Sequence, residues 1–256
     1  MINSIINEYT SFSQVKAIAI GGSNSANVSD KMSDIDVYVF VEKDIPIFDR
    51  EMLVKKYSTK SEVGGEYFGP GDEFLFDKLE KQLDVMYWDV NWFEETVKNT
   101  WENCYASNGY TTCFLYTLNN FSIKYDPSGW LENLQRKLKK EYPLLLQENI
   151  IKRNMMLMKD KPFASYYEQV EKAIIRGDEN SVNHRISAFM ASYFDVLFAK
   201  NKLLHPGEKR LVAFALNNCK ILPKDFERNI TKLFNTSRAE KLNIMNEMVE
   251  NLRKIL

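Results

Sequence analysis

Two aspartates at the start of an apolar segment could do chemistry together. Asp34 and Asp36 stand two residues apart, directly before a run of β-branched and aromatic residues that predicts a strand. Side chains at alternate positions of a strand point to the same side of the sheet, so both carboxylates would be aimed at one point. Two negative charges that close raise each other's pKa unless a cation lies between them. Hard oxygen ligands at a strand end suit Mg²⁺, which keeps waters and substrate phosphates in its shell.

A Gly-Gly-Ser turn ends the apolar segment that comes just before, and it supplies a matching anion site. Glycine at position 22 would let the backbone approach a ligand closely. A helix that begins after Ser23 would present free N–H groups to a phosphate. Ser23 would then be an ordinary helix N-cap as well, which is compatible with phosphate binding. An anion site that faces a divalent-metal site suits a nucleoside triphosphate with its metal.

A third acid, Asp84, lies within the apolar stretch QLDVMYW, which predicts another strand. A charge buried there would be costly without a partner. If this strand lies beside the Asp36 strand, Asp84 could join the metal site, or it could take the proton from an acceptor hydroxyl, and in-line transfer with two metals would follow. Asp89 is the rival candidate for this acid.

Plain structural roles remain open for the same residues. Asp34 and Asp36 could be solvated acids in a turn that caps a strand, and Asp84 could be an acid of an edge strand that faces water. The Gly-Gly-Ser turn and the apolar flanks favour the functional interpretation of the first pair.

The chain changes character along its length. Up to about Trp88 it has the pattern of strands and turns, and after Asp89 apolar residues recur at helical spacing. We place the boundary near residue 105, which gives a domain of residues 1–105 and a helical domain of residues 106–256.

Composition narrows the classes of function. The 256 residues are 45% hydrophobic and 13% aromatic, which suffices for a core. The net charge of -1 and the lack of a basic stripe argue against a nucleic-acid partner. Three cysteines outside any C-x-x-C pair are typical of free thiols in a reducing compartment. No signal peptide or membrane span is evident, so we expect a soluble, cytoplasmic protein without a membrane partner.

The pattern of Gly-Gly-Ser, ten residues, Asp-Ile-Asp and an apolar strand resembles the signature of the DNA polymerase β-like nucleotidyltransferase superfamily. The third acid on a later strand fits that signature. The order of the domains is similar to that of the antibiotic nucleotidyltransferases, such as the aminoglycoside and lincosamide enzymes. The resemblance implies an α+β fold, with a small mixed-sheet nucleotidyltransferase core followed by an all-α helical-bundle domain that binds the substrate.

The resemblance also implies roles for single residues. Gly22 and Ser23 would contact the triphosphate, and Asp34 and Asp36 would bind Mg²⁺. Asp84 would complete the metal site, at a position that acts as the general base in the antibiotic enzymes.

The stretch NKLLHPGEKRL is similar to the helical domain of a related group of proteins. The resemblance to the nucleotidyltransferases implies that Lys209 would match a lysine of the helical domain that reaches the triphosphate. In the first turn of a helix beginning near Pro206, this cation would oppose the helix dipole. A nearby phosphate would offset this unfavourable interaction, and so would a salt bridge to Glu208 or solvation of the lysine side chain.

The leading hypothesis is a Mg²⁺-dependent nucleotidyltransferase that transfers AMP from ATP, or another nucleoside monophosphate, to a hydroxyl of a small molecule. Between residues 160 and 200 six acids stand against five bases, which gives no support to a polycationic acceptor. A neutral antibiotic, with a role in resistance, and an unrelated metabolite both stay open as acceptors. The alternatives are a nucleotide-binding regulatory or toxin–antitoxin module with little transfer activity, and a structural or interaction protein.

Overall fold

The computed structural model describes residues 2–21, 34–67, 69–161 and 163–256. The described residues form two compact units. The sheet unit lies within Met1–Lys98 and Thr117–Lys140, and the helical unit lies within Asn99–Tyr116 and Glu141–Leu256. The predicted α+β fold class, a mixed sheet followed by helices, is confirmed. The domain boundary near residue 105 stays a prediction.

The described part of the sheet unit contains a mixed six-stranded sheet in the order β3-β4-β5-β2-β1-β6. Only β2 and β5 run parallel among the described strands, and the other neighbours are antiparallel. The strands are β1 (Val15–Ile20), β2 (Ile35–Val41), β3 (Ser61–Gly65), β4 (Gly71–Phe76), β5 (Lys81–Asp89) and β6 (Ser122–Tyr125). The parallel pair therefore lies in the middle of the sheet, where both strands have neighbours on each side.

The two faces of the sheet bury different side chains. On one face Val37, Val39 and Val85 belong to an aliphatic core that includes residues of α1 (Ile2–Tyr9) and α2 (Ile47–Val54). The other face carries a cluster of aromatic rings. The cluster includes Tyr38, Phe40 and Trp88 from the sheet, Phe93 from α3 (Val90–Val97), Phe121, and Trp130 from α5 (Trp130–Leu138). Even positions of β2, including Asp36, therefore share the aromatic face.

A buried polar network lies on the aliphatic face of the sheet. The carboxylate of Asp72 is within 3.4 Å of Arg50 Nη1, and it accepts a 2.6 Å hydrogen bond from the hydroxyl of Tyr87. The Tyr87 hydroxyl is also 3.1 Å from that of Tyr9. Burial raises the pKa of Asp72, although these donors oppose the rise. The network joins α1, α2 and β4 to β5, which is a structural role on the face opposite to Asp36.

The helical unit is built around one long helix. Residues 189–199 of α8 are all buried, which is expected of a helix that other helices surround. Its neighbours are α6 (Leu144–Met155), α7 (Tyr166–Arg176), α9 (Leu211–Asn218), α10 (Phe226–Asn235) and α11 (Arg238–Arg253), while α8 itself spans Glu179–Lys200. A further helix, α4 (Cys113–Asn119), includes residues of both units. No helix of the described ranges is both long and apolar enough to cross a membrane.

A buried aspartate anchors a loop within the helical unit. Asp195 on α8 accepts hydrogen bonds from Thr111 N at 3.1 Å, Thr111 Oγ1 at 2.6 Å and Asn154 Nδ2 at 3.1 Å. Asn154 in turn accepts a 2.9 Å hydrogen bond from Gly109 N. Burial raises the pKa of Asp195 to about 6. The loop before α4 is thereby fastened to α6 and α8.

Candidate functional site

The structure places Asp36 and Asp84 side by side. In the parallel pairing of β2 with β5, Asp36 is the register partner of Asp84. Register partners on neighbouring strands point to the same face, so both carboxylates share the aromatic face of the sheet. Both residues are partly exposed rather than buried. The sequence interpretation required these two strands to be neighbours, and they are.

Asp84 lies on an interior strand, because β5 pairs with β4 on one side and with β2 on the other. The interpretation of Asp84 as an edge-strand acid is therefore wrong. Gln82, on the same face of β5, donates a 2.8 Å hydrogen bond from Nε2 to Asp84 Oδ1. This bond orients the carboxylate and leaves Oδ2 without a hydrogen bond from any residue that the structure describes. Asp84 is consequently held in place with one oxygen available to a substrate.

The charge of the two carboxylates acts on the tyrosine behind them. Tyr38 follows Asp36 on the same face of β2 and is only 9% exposed. Burial raises the pKa of its hydroxyl, and the negative charges of Asp36 and Asp84 raise it further. A cation between the two carboxylates would offset this concentration of negative charge.

Asp34 immediately precedes β2 and is exposed. Within the described ranges, no three histidine, cysteine or acidic side chains are gathered closely enough to hold a metal ion. The donor chemistry nevertheless fits Mg²⁺, because Asp36 and Asp84 offer two hard oxygen ligands on one face and carry like charges. Magnesium binding by Asp34, Asp36 and Asp84 stays a prediction.

Glu73 is a candidate that the sequence interpretation did not identify. It is the register partner of Asp84 on the other side, from β4, and Glu62 of β3 is in turn the partner of Glu73. Both glutamates are exposed. Four acids therefore form a row across β3, β4, β5 and β2. The stretch GDEFLF does not alternate between polar and apolar residues, because Asp72 is buried and Leu75 is exposed. The position of Glu73 follows only from the register in which β4 and β5 pair.

The glycine that ends β1 is required by packing. The Gly21 amide donates a 2.9 Å hydrogen bond to the carbonyl oxygen of Asp36, so β1 and β2 remain joined up to the acid. A Cβ atom at Gly21 would lie 2.5 Å from Cε2 of Tyr38, whose ring also packs against Phe121. No side chain fits at this position without displacing that ring. The predicted phosphate contacts, Gly22 and Ser23, lie outside the described residues.

Lys209 is exposed and belongs to the helical unit. The helix predicted to begin near Pro206 begins instead at Leu211, so Lys209 lies in the turn before α9 rather than in its first helical turn. Lys209 still stands next to the N-terminal end of α9, where the helix dipole disfavours a cation. Its contact with a triphosphate stays a prediction.

Asp89, the rival to Asp84, has a structural role. It is the N-cap of α3, and its Oδ1 accepts a 2.7 Å hydrogen bond from Trp92 N. An N-cap of this kind typically contributes about 1 kcal/mol to stability. This assignment favours Asp84 as the third acid.

No protein-family model matches the chain, and no curated protein matches it as a relative. Among solved structures, it is similar to a nucleotidyltransferase-like protein from Exiguobacterium sibiricum 255-15, with 8% identity, 98% of this chain and 73% of that chain covered, and a TM-score of 0.49. It is also similar to spectinomycin adenyltransferase AAD(9) from Enterococcus faecialis, solved with ATP and spectinomycin, with 14% identity, 98% and 96% coverage, and a TM-score of 0.29.

Both proteins carry names from the class that the sequence motif resembles. At these identities and TM-scores the similarity decides nothing about activity.

Proposed function

We propose that this chain is a Mg²⁺-dependent nucleotidyltransferase, which transfers AMP from ATP to a hydroxyl group of a small molecule and releases pyrophosphate. The observation that carries the proposal is the register pairing of Asp36 with Asp84 on two parallel, interior strands. Acids at register-paired positions on one face carry adjacent like charges, and a divalent cation bound between them would lower their repulsion.

Asp34, Asp36 and Asp84 are the residues that would hold the metal. When bound, Mg²⁺ would neutralise charge on the triphosphate and polarise its α-phosphate. Gly22 and Ser23, between β1 and Asp34, would bind phosphate oxygens through backbone N–H groups. Lys209 would contribute a positive charge to the same triphosphate.

Asp84 would act as the general base. The acceptor hydroxyl gives its proton to Asp84 Oδ2 while its oxygen forms a bond to the α-phosphorus. The bond between the α-phosphorus and the oxygen bridging to the β-phosphate breaks, and the electron pair leaves with pyrophosphate. Gln82 acts as a positioning residue, because its 2.8 Å hydrogen bond to Oδ1 fixes which oxygen receives the proton. The products are the nucleotidylated acceptor and pyrophosphate.

Replacing Asp84 with asparagine tests this role. We expect Asp84→Asn to retain ATP binding but to lower the rate of transfer by at least about 10²-fold, because an amide cannot take the proton. Release of pyrophosphate from ATP is measured against a panel of neutral hydroxylated small molecules, and ATP binding is measured by calorimetry. Asp44→Asn is the matched control, since Asp44 is an exposed acid of the sheet unit outside the row.

A wild-type rate in Asp84→Asn would contradict the proposed base. Glu73, the register partner of Asp84 on β4, would then be the next candidate for the base.

ATP binding with Mg²⁺ but no turnover with any acceptor, in the wild type, would favour a nucleotide-binding regulatory module. Gln82→Ala should lower the maximal rate more than it changes the Michaelis constant, because the Gln82 side chain orients the base but does not contact the acceptor.

A further inference from the structure

The helical unit contains an open groove that the proposed transfer does not use. The groove has a volume of about 680 Å³ and lies between α6 and the loop that precedes α4. That volume falls within the range of small-molecule sites. All of the described residues that line it belong to the helical unit.

The charged residues that line the groove are all basic. They are Lys152, Arg153 and Lys161, and no acid is among the described lining residues. Lys152 and Lys161 are exposed and form no ion pair with any residue in the described ranges. The acid next to Lys161 in the chain, Asp160, is paired with Arg253. A chain with a net charge of -1 thus concentrates three cations at one concave surface, which favours an anion.

Arg153 is held in position for a ligand. Its Nε donates a 2.8 Å hydrogen bond to Asn108 Oδ1, and its two terminal nitrogens donate to none of the described residues. A guanidinium fixed in this way presents a fork that matches a phosphate or a carboxylate. The loop that carries Asn108 is itself immobilised through Gly109 and Asn154. The groove therefore has a preformed wall.

The remaining lining suits a planar ring with polar edges. Tyr105 is 66% exposed and Met156 is 42% exposed, and both line the groove, so an aromatic ring and an apolar chain are available there. Asn149 uses its Nδ2 to hold Cys104 O at 2.9 Å, which leaves its Oδ1 as an acceptor. Asn108 keeps its Nδ2 as a donor, because only its Oδ1 is bonded to Arg153. Stacking on tyrosine tolerates any heteroaromatic base.

We infer that this groove binds a small phosphorylated heteroaromatic molecule of the nucleoside monophosphate class. The phosphate contacts Lys152, Arg153 and Lys161, and the base stacks on Tyr105. Since no acid is among the described lining residues, binding here needs no divalent metal. The groove shares no described lining residue with the acids of the sheet unit, and the inference stands whether or not the proposed transfer activity is found.

The test is calorimetric titration of the full chain with AMP, adenosine and pyrophosphate, in the presence of EDTA. We expect AMP to bind more tightly than adenosine, because the phosphate meets three cations. Lys152→Gln/Lys161→Gln should lower the affinity for AMP at least about tenfold. Lys139→Gln/Lys140→Gln, at exposed lysines of the sheet unit, should leave that affinity unchanged. Tyr105→Ala should lower the affinity for AMP and leave the affinity for pyrophosphate unchanged.

Asp36→Asn/Asp84→Asn distinguishes this groove from the proposed transfer site. AMP binding in EDTA that persists in this variant supports the inference, even if no transfer activity is ever measured. AMP binding that the variant abolishes would place the nucleotide at the sheet and overturn the inference. Absence of AMP binding by the wild type at about 1 mM, or binding that Lys152→Gln/Lys161→Gln and Tyr105→Ala both leave intact, would overturn it as well.

Discussion

Asp36→Asn is expected to lower nucleotidyl transfer by about 10³-fold or more while the protein stays folded. The substitution keeps the size of the side chain but removes one of the two charges that face each other across β2 and β5. The metal would then lose a charged ligand, and the triphosphate would lose its counterion. Because the removed charge lies beside that of Asp84, the free energy of unfolding should change by less than about 1 kcal/mol.

The measurement is pyrophosphate release, combined with urea unfolding of both proteins. Asp44→Asn removes an exposed acid of the same unit and should leave the rate and the stability at wild-type values. A loss of stability with unchanged activity would contradict the proposed site, since Asp36 would then be a structural acid.

Asp195→Ala is expected to destabilise the helical unit by about 1–3 kcal/mol at neutral pH, because it leaves buried neutral donors unsatisfied. The substitution leaves the backbone N–H and the hydroxyl of Thr111 without their acceptor in a region that is almost fully buried. It should also release the loop before α4. Urea unfolding followed by circular dichroism measures the change, and Glu171→Ala, at an exposed acid of α7, is the control.

The cost of Asp195→Ala should depend on pH in a defined direction. Burial raises the pKa of Asp195 to about 6, so between about pH 4 and pH 6 the folded state binds more protons than the unfolded state. The part of this carboxyl's contribution to stability that depends on its protonation is therefore complete below about pH 4 and is lost as the pH rises through 6. The difference in stability between the wild type and Asp195→Ala should be larger at pH 4 than at pH 7. A difference that does not change with pH would show that the carboxyl is not buried in solution.

The central strands could be predicted because their side chains report their own environment. β1 is an apolar run that ends in glycine, and β2 is β-branched and aromatic, so both predicted strands appear nearly as expected. Asp36 and Asp84 could be singled out because each is an acid within an apolar strand, where a buried charge is costly without a partner. That signal is local, and it needed no knowledge of the fold.

The pairing of the Asp36 strand with the Asp84 strand could not be predicted from the sequence and could only be assumed. The sequence interpretation required the Asp84 strand to lie beside the Asp36 strand, but register is set by long-range packing and not by local pattern. Glu73 was missed for the same reason, because it becomes a neighbour of Asp84 only through the β4–β5 register.

Asp195 shows the same limit in the helical unit. It stands within a helical apolar pattern, and the sequence interpretation treated it as one acid in a count of charges. Its role depends on Thr111 and Asn154, which are 84 and 41 residues away in the chain. No pattern along the sequence joins residues at those separations, so only the folded structure shows why this acid is buried.

The central claim is that Asp34 and Asp36 hold a metal-bound nucleotide. The most direct test is calorimetric titration of ATP, with and without Mg²⁺, into the wild type and into Asp34→Ala/Asp36→Ala. We expect binding by the wild type that requires Mg²⁺ and that the double variant loses. Equal binding by both proteins in Mg²⁺, or none by the wild type with ATP, GTP, CTP or UTP, would contradict the claim.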